Sequence, residues 1–279
     1  MYAYHELIYD LIRLDVFQKE MSFFSIGSSY LGQNLFCVKS GMGPKNILVV
    51  AGHHSLETIL SEVIMEYLFR SKNEWFQGVS FYTVPLLNPD GADIVVGRIK
   101  HPRFSSDRSR WQANYRGVDL NHNYDAGFFL AKELVKKDGI TAPNHTKYGG
   151  EEPFSEPETR AIRDLCKKIP FDVAVALHSQ GEEIYYEYDG VVPEGTEQYL
   201  NTFRKNSHYT ITKPTGTASH GGMKDWFIKT YQKPAFTIEA GLGKNPLPHS
   251  LFSKLYADCK VILDSVIETV RNEPKNRDI

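Results

Sequence analysis

Short apolar runs typical of β-strands alternate along this chain with segments of helical periodicity, and this alternation strongly constrains the fold. One such run covers residues 47–51 and ends at Gly52, and a helical pattern begins shortly afterwards at Leu56. Alternation of this kind favours an α/β layered fold with a largely parallel or mixed sheet. The 279 residues could form one large α/β domain or two smaller ones, and no repeat, low-complexity tract or composition break marks a linker between them.

Local patterns predict several individual elements. Apolar spacing predicts a helix over residues 4–14 and a long helix over about 250–270, and two short runs at 23–26 and 35–39 predict a hairpin. Ser155 to Glu158 form a capping-box pattern, which predicts a helix through Cys166.

Charge and cysteine content exclude several classes of protein. Lys and Arg (32) nearly balance Asp and Glu (34), so the chain has no strong positive electrostatic field that would favour nucleic acid or an anionic membrane as a partner. The chain has three cysteines and none of them are in a CxxC spacing, which argues against a disulfide framework and against a thiolate zinc site. The chain has no membrane-length apolar run and no signal-peptide pattern, so we expect a cytoplasmic protein, and a secreted protein whose signal peptide has been removed is the alternative. The oligomeric state is not predicted.

The first candidate site motif is His54-Ser-Leu-Glu57, where a predicted strand meets a helix. With Ser55 as N-cap, Glu57 would lie in the first helical turn and His54 just before it, so that both side chains converge. An acid in a first turn also complements the helix dipole without any metal, and HxxE often occurs by chance. His53 is a competing ligand, but only His54 has an acid three residues later.

Two further candidates end strand-like segments. His178 closes residues 171–177 and shares a face with two alanines, whereas Glu239 closes residues 234–238 ahead of a glycine turn. The carboxyl ends of strands are where open α/β sheets usually place ligands. A buried structural histidine and a solvent-facing acid are the alternatives. Two imidazoles and one carboxylate can bind a catalytic zinc, and a second carboxylate can act beside it, which is the set of side chains that a zinc hydrolase needs.

Six motifs carry a resemblance to the zinc carboxypeptidases of metallopeptidase family M14, in family order and over almost the whole chain. They are GHHSLETI around His54, LLNPDG at 86–91, RGVDLNHNYDAGF at 116–128, PFSEPETRAI at 153–162, LHSQG around His178 and TIEAG around Glu239. The resemblance implies a single α/β domain over residues 1–279, with a mixed, mostly parallel central sheet flanked by helices. It implies one Zn²⁺ bound by His54, Glu57 and His178. It also implies that Glu239 is the general base and then the general acid.

One departure concerns the group that stabilises the oxyanion of the reaction. Family members usually place an Arg or Lys five residues before the glycine of the GVDLN motif, and this chain has Gln112 there. Arg110 and Arg116 flank this position and are the favoured replacements. The alternative is a neutral hydrogen bond from Gln112 itself.

A second departure concerns the substrate. Digestive carboxypeptidases pair the Asn of this motif with an Arg that holds the terminal carboxylate of the substrate, whereas here His122 follows Asn121. Leu56 likewise stands where many relatives have Arg. The segments at 111–121, 219–228 and 233–248 look like those of the bacterial γ-D-glutamyl-diaminopimelate endopeptidases of this family. We therefore expect a peptide substrate derived from murein.

Two other functions stay open at this point. The chain could be a C-terminal carboxypeptidase or a small-amide deacylase, which differ in whether the substrate needs a terminal carboxylate. It could also be a non-catalytic peptide-binding relative, a reading supported only by Gln112 and His122.

Overall fold

A mixed β-sheet forms the centre of the molecule. The structure is a computed structural model that describes residues 1–101 and 108–272, and within them eight strands form one sheet in the order β1-β2-β4-β3-β5-β8-β6-β7. The strands are β1 (Ser22–Ser28), β2 (Asn34–Ser40), β3 (Lys45–Ala51), β4 (Val79–Val84), β5 (Val173–His178), β6 (Glu183–Tyr185), β7 (Thr210–Thr212) and β8 (Ala235–Glu239). The central strands β4, β3, β5 and β8 are parallel, while β1–β2, β2–β4 and β6–β8 pair antiparallel. The predicted α/β class with a mixed, mostly parallel sheet is confirmed.

Helices cover both faces of this sheet. They are α1 (Tyr4–Phe17), α2 (Ile59–Arg70), α3 (Pro89–Val95), α4 (Phe128–Lys137), α5 (Pro157–Lys168), α6 (Thr196–Asn206), α7 (Met223–Tyr231) and α8 (Phe252–Asn272). None of the helices in the described ranges combines the length and apolar character needed to span a bilayer.

Side-chain alternation along the central strands divides the core into two layers. Val175 and Leu177 of β5 pack with residues of α1, α2, α6 and α8, whereas Ala174 and Ala176 pack with residues of α5 and α7. The next residue on the alanine face is His178. Because alanine side chains are small, this face leaves space beside the imidazole at the carboxyl end of the strand.

The predicted first helix, hairpin and last helix are confirmed. A helix also follows Ser155, but the predicted capping box is wrong. The N-cap residue of α5 is Glu156, and no side chain caps the helix. The Ser155 hydroxyl instead donates to Glu156 Oε1 (2.8 Å), and the Glu158 carboxylate accepts a hydrogen bond from Tyr30 N (3.1 Å). The Glu158 side chain is thus engaged by the β1–β2 loop.

Candidate metal centre

The HxxE motif lies on a turn between β3 and α2. The expectation that Ser55 caps the helix is wrong, since α2 begins at Ile59 and Thr58 precedes it. The Ser55 hydroxyl donates to Trp111 O (2.6 Å), which ties the turn to the segment ahead of the GVDLN motif. A hydrogen bond from Glu57 N to His54 O (3.1 Å) closes the turn. Both side chains therefore converge as expected, but through a loop and not through a helical first turn.

The structure brings His54, Glu57 and His178 together. Their candidate ligand atoms all lie within 4.8 Å of one another. Glu57 Oε1 is 2.9 Å from His54 Nδ1, and Glu57 Oε2 is 3.0 Å from His178 Nδ1. The Glu57 carboxylate thus faces the Nδ1 atom of each imidazole, and the three side chains form a group that can hold a metal ion.

Asp119 lies on the other edge of the His54 ring. Its Oδ1 is 3.0 Å from His54 Nε2, so the imidazole lies between two buried carboxylates. Burial acts to lower the pKa of His54, but Glu57 and Asp119 together raise it well above its ordinary value. A neutral imidazole has a single N–H and can donate to only one of these carboxylates. The site therefore favours a positive charge at or beside His54, and this donor set fits zinc.

His53 lies outside this group. Its ring is fully buried, and Nε2 lies 3.0 Å from the Tyr124 hydroxyl. Burial lowers the pKa of His53 well below its ordinary value, and the neighbouring His178 and His54 act in the same direction. This environment is that of a neutral imidazole packed behind the metal-site candidates.

Glu239 stands next to His178 across the sheet. The two residues are directly paired in the parallel register of β5 and β8, so their side chains share a face. Among the described residues, none donates a hydrogen bond to the Glu239 carboxyl group or forms an ion pair with it. Burial raises the pKa of Glu239, and the neighbouring Glu57 and Glu183 raise it further. His54 acts in the opposite direction but does not cancel these effects, so the pKa of Glu239 is about 8. The arrangement therefore provides a carboxyl group that can exchange a proton near neutral pH.

The three residues predicted for the oxyanion have different surroundings. Gln112 lies beside the motif turn, since its carbonyl accepts from Ser55 N (3.2 Å) and its Oε1 accepts from Thr146 Oγ1 (2.6 Å). Arg110 is exposed at the end of a 3₁₀ helix. The Arg116 guanidinium lies 3.4 Å from Glu156 Oε1 and over the Tyr30 ring.

Asn121 is the last residue of the GVDLN segment, His122 follows it, and Asn121 contacts the start of α7. Asn121 Oδ1 accepts from Met223 N (3.1 Å), which joins the two segments. Burial lowers the pKa of His122, although Asp119 opposes the effect. His122 is therefore an uncharged side chain at the position where digestive carboxypeptidases have the Arg that binds the terminal carboxylate of the substrate.

Two residues of the site were missed by the sequence reasoning. Asp119 lies within the GVDLN motif and supports His54, as described above. Asn245 donates to Glu57 Oε1 (3.2 Å) and to Ser179 O (2.7 Å). Asp119 stands inside the GVDLN motif and Asn245 inside the segment 233–248, but only their contacts reveal what they do.

The model of the family described as zinc carboxypeptidase matches residues 15–260. This chain belongs to that family, and it is a zinc metallopeptidase. A γ-D-glutamyl-L-diamino acid endopeptidase of Lysinibacillus sphaericus is 31% identical over 92% of this chain and 70% of its own length.

Solved structures show the same fold at low sequence identity. A carboxypeptidase A from Helicoverpa armigera matches with a TM-score of 0.74 and 16% identity, over 99% of this chain and 75% of the other. A murein-tripeptide amidase from Escherichia coli O157 matches with a TM-score of 0.58 and 20% identity, over 91% and 94%. These similarities support the zinc carboxypeptidase fold.

Proposed function

We propose that this metallopeptidase hydrolyses the amide bond between γ-D-glutamate and diaminopimelate in murein-derived peptides. In this proposal one zinc is held by His54, Glu57 and His178. The observation that carries the proposal is the position of Glu239, a carboxyl group without a protein partner in the described ranges, directly beside His178. A metal-ligand set with a free carboxyl group next to it is the arrangement that amide hydrolysis requires.

Glu239 performs the proton transfers in this mechanism. Bound zinc would supply a Lewis acid for the scissile carbonyl and lower the pKa of the attacking water. The Glu239 carboxylate accepts the proton of the attacking water and then gives it to the departing amine. Asp119 keeps the His54 ring oriented through its contact with Nε2.

Gln112 has the strongest structural support as the hydrogen-bond donor to the oxyanion. Its Oε1 is occupied by Thr146, and its side-chain nitrogen donates to no residue in the described ranges. Its backbone is tied to the turn that carries His54. Arg116 would have to leave Glu156 to act in the site. Arg110 stays a second candidate because its side chain is exposed.

Two observations support a murein-derived substrate. The Lysinibacillus sphaericus relative is described as an endopeptidase for γ-D-glutamyl bonds to an L-diamino acid. In addition, His122 has a lowered pKa and offers no cation for the bidentate grip on a terminal carboxylate that an Arg provides. A cytoplasmic location stays a prediction from the sequence.

Digestion of two substrates tests the proposal. The purified zinc-loaded protein is incubated with L-Ala-γ-D-Glu-meso-diaminopimelate and with unmodified L-peptides, and products are identified by mass spectrometry. We expect release of diaminopimelate, with C-terminal trimming of the L-peptides slower by orders of magnitude. Efficient trimming with the murein tripeptide left whole would establish a carboxypeptidase instead. Hydrolysis of simple acyl amides alone would indicate a deacylase, and no turnover of any substrate would favour a binding protein.

A further inference from the structure

Three polar side chains form a row across the sheet at the candidate site. Glu239 of β8 is paired with His178 of β5 on one side and with Glu183 of β6 on the other. Residues directly opposite each other on neighbouring strands project from the same face. The row therefore runs from a metal-ligand candidate, through the proposed general base, to a second carboxylate that the mechanism does not use.

Glu183 has a polar partner but no cationic one. Its Oε2 accepts a hydrogen bond from the Tyr185 hydroxyl (2.6 Å), two residues along the same face of β6. Within residues 1–101 and 108–272 no Lys, Arg or His side chain forms an ion pair with Glu183. The preceding residue, Glu182, differs because its carboxylate lies 2.5 Å from Lys254 Nζ and 3.4 Å from His208 Nε2.

The position of Glu183 makes a cation beside it favourable. Like charges directly opposite each other on neighbouring strands are destabilising, and here the two residues are Glu183 and Glu239. Both side chains are partly accessible, so a ligand can reach them. Burial, followed by the hydrogen bond to Glu183, raises the pKa of Tyr185 and keeps its hydroxyl as the donor that orients the carboxylate.

We infer that Glu183, oriented by Tyr185, binds a protonated amine of the substrate on the side of Glu239 that faces away from the metal ligands. The assignment rests on the proposed function and specifies its substrate further. Diaminopimelate fits because its second amino group stays free when the first is acylated. Binding that ammonium at Glu183 neutralises the extra carboxylate and leaves Glu239 available for proton transfer. Glu183 is thus a specificity-determining residue for a diamino acid at the leaving side of the scissile bond.

A pair of substrates that differ in one amino group tests this assignment. L-Ala-γ-D-Glu-meso-diaminopimelate is compared with the same peptide ending in L-2-aminopimelate, which keeps the scissile bond and both carboxylates but lacks the distal amine. We expect the wild type to prefer the first in kcat/KM by about ten- to a hundredfold, because a hydrogen bond to a charged group is lost in the second.

The variants locate that preference. Glu183→Gln should abolish the preference for the diaminopimelate peptide by lowering kcat/KM for that peptide only. Tyr185→Phe should reduce the preference. The control Glu182→Gln should keep it, because that carboxylate is already paired with Lys254. Zinc content and the thermal unfolding midpoint are measured for each variant.

Each other outcome overturns the assignment. Equal turnover of the two substrates by the wild type would refute it and leave the proposed function standing. Equal losses for both substrates in Glu183→Gln would show that the residue serves the structure alone. If Glu183→Gln does not fold, an unchanged preference in Tyr185→Phe counts against the assignment. Failure of the wild type to cleave either peptide would remove the proposed function and this assignment together.

Discussion

Asp119 Oδ1 lies 3.0 Å from Nε2 of His54, on the ring edge opposite the nitrogen that faces Glu57. A carboxylate in this position fixes the orientation and tautomer of a metal-binding histidine. The contact joins the GVDLN motif to the HxxE motif, which are 65 residues apart.

Asp119→Asn should therefore weaken zinc binding without removing a ligand. Loss of such a supporting carboxylate typically costs about ten- to a hundredfold in metal affinity. Competition with a chelator of known affinity measures the change. The exposed Asp125→Asn is the matched control and should bind zinc as the wild type does. Equal affinities in all three proteins would show that Asp119 does not support the site.

His54→Ala should lose zinc, whereas His53→Ala should retain it. The reason is that His54 belongs to the converging group, while the ring of His53 contacts Tyr124 in the protein interior. Metal analysis after dialysis gives the zinc content of each variant. Equal retention by the two proteins would contradict the ligand assignment.

Glu239→Gln should keep zinc and the fold but lose nearly all turnover. An amide cannot accept the proton of the attacking water, and general acid–base catalysis contributes about a hundred- to ten-thousandfold. Single-turnover rates on the murein tripeptide, with metal analysis of the same samples, make the comparison. The exposed Glu268→Gln serves as control. Wild-type rates at normal zinc content would remove Glu239 from the mechanism.

Gln112→Ala should lower kcat by about a hundred- to a thousandfold if its amide stabilises the oxyanion. Arg116→Ala should instead lower the free energy of unfolding, because Arg116 is paired with the buried Glu156. Arg110→Ala is tested in parallel by steady-state kinetics and urea unfolding. A large loss of kcat in an Arg variant, with little change in Gln112→Ala, would assign the donor to that Arg.

Glu158 should make the stability of the fold depend on pH. Burial, opposed by backbone hydrogen bonds, raises the pKa of this carboxyl to about 7. The unfolded chain loses the same proton near about pH 4.3. Between these values the folded state binds more protons, so the free energy of unfolding falls as pH rises and then levels off above about pH 7.

Between about pH 4.3 and pH 7 the free energy of unfolding of the wild type should fall by about 3 kcal/mol more than that of Glu158→Gln, since one pKa unit corresponds to about 1.4 kcal/mol. Urea unfolding at pH 4.5 and at pH 7.5 measures the difference. The exposed Glu194→Gln should follow the wild type. Parallel pH profiles for wild type and Glu158→Gln would show that this carboxyl titrates normally.

Much of the fold could be predicted from local patterns. Apolar periodicity identified α1, α8 and the β1–β2 hairpin, and the alternation of strands and helices indicated the mixed sheet. The two errors at helix starts, at Ser55 and at Ser155, have one cause. The Ser55 hydroxyl donates to Trp111 O and the Ser155 hydroxyl donates to the Glu156 side chain, and a cap pattern in the sequence does not reveal these competing partners.

The sequence by itself determined the residue types of the site, because HxxE follows a strand-like run, and the histidine of LHSQG and the acid of TIEAG each end one. Only the tertiary structure decided which atoms meet. The convergence of His54, Glu57 and His178 and the pairing of Glu239 with Glu183 depend on strand order and register. The support from Asp119 depends on how the GVDLN segment packs against the turn that carries His54. Those contacts join residues far apart in the chain, and their geometry follows from the packing of the whole sheet, which local patterns do not specify.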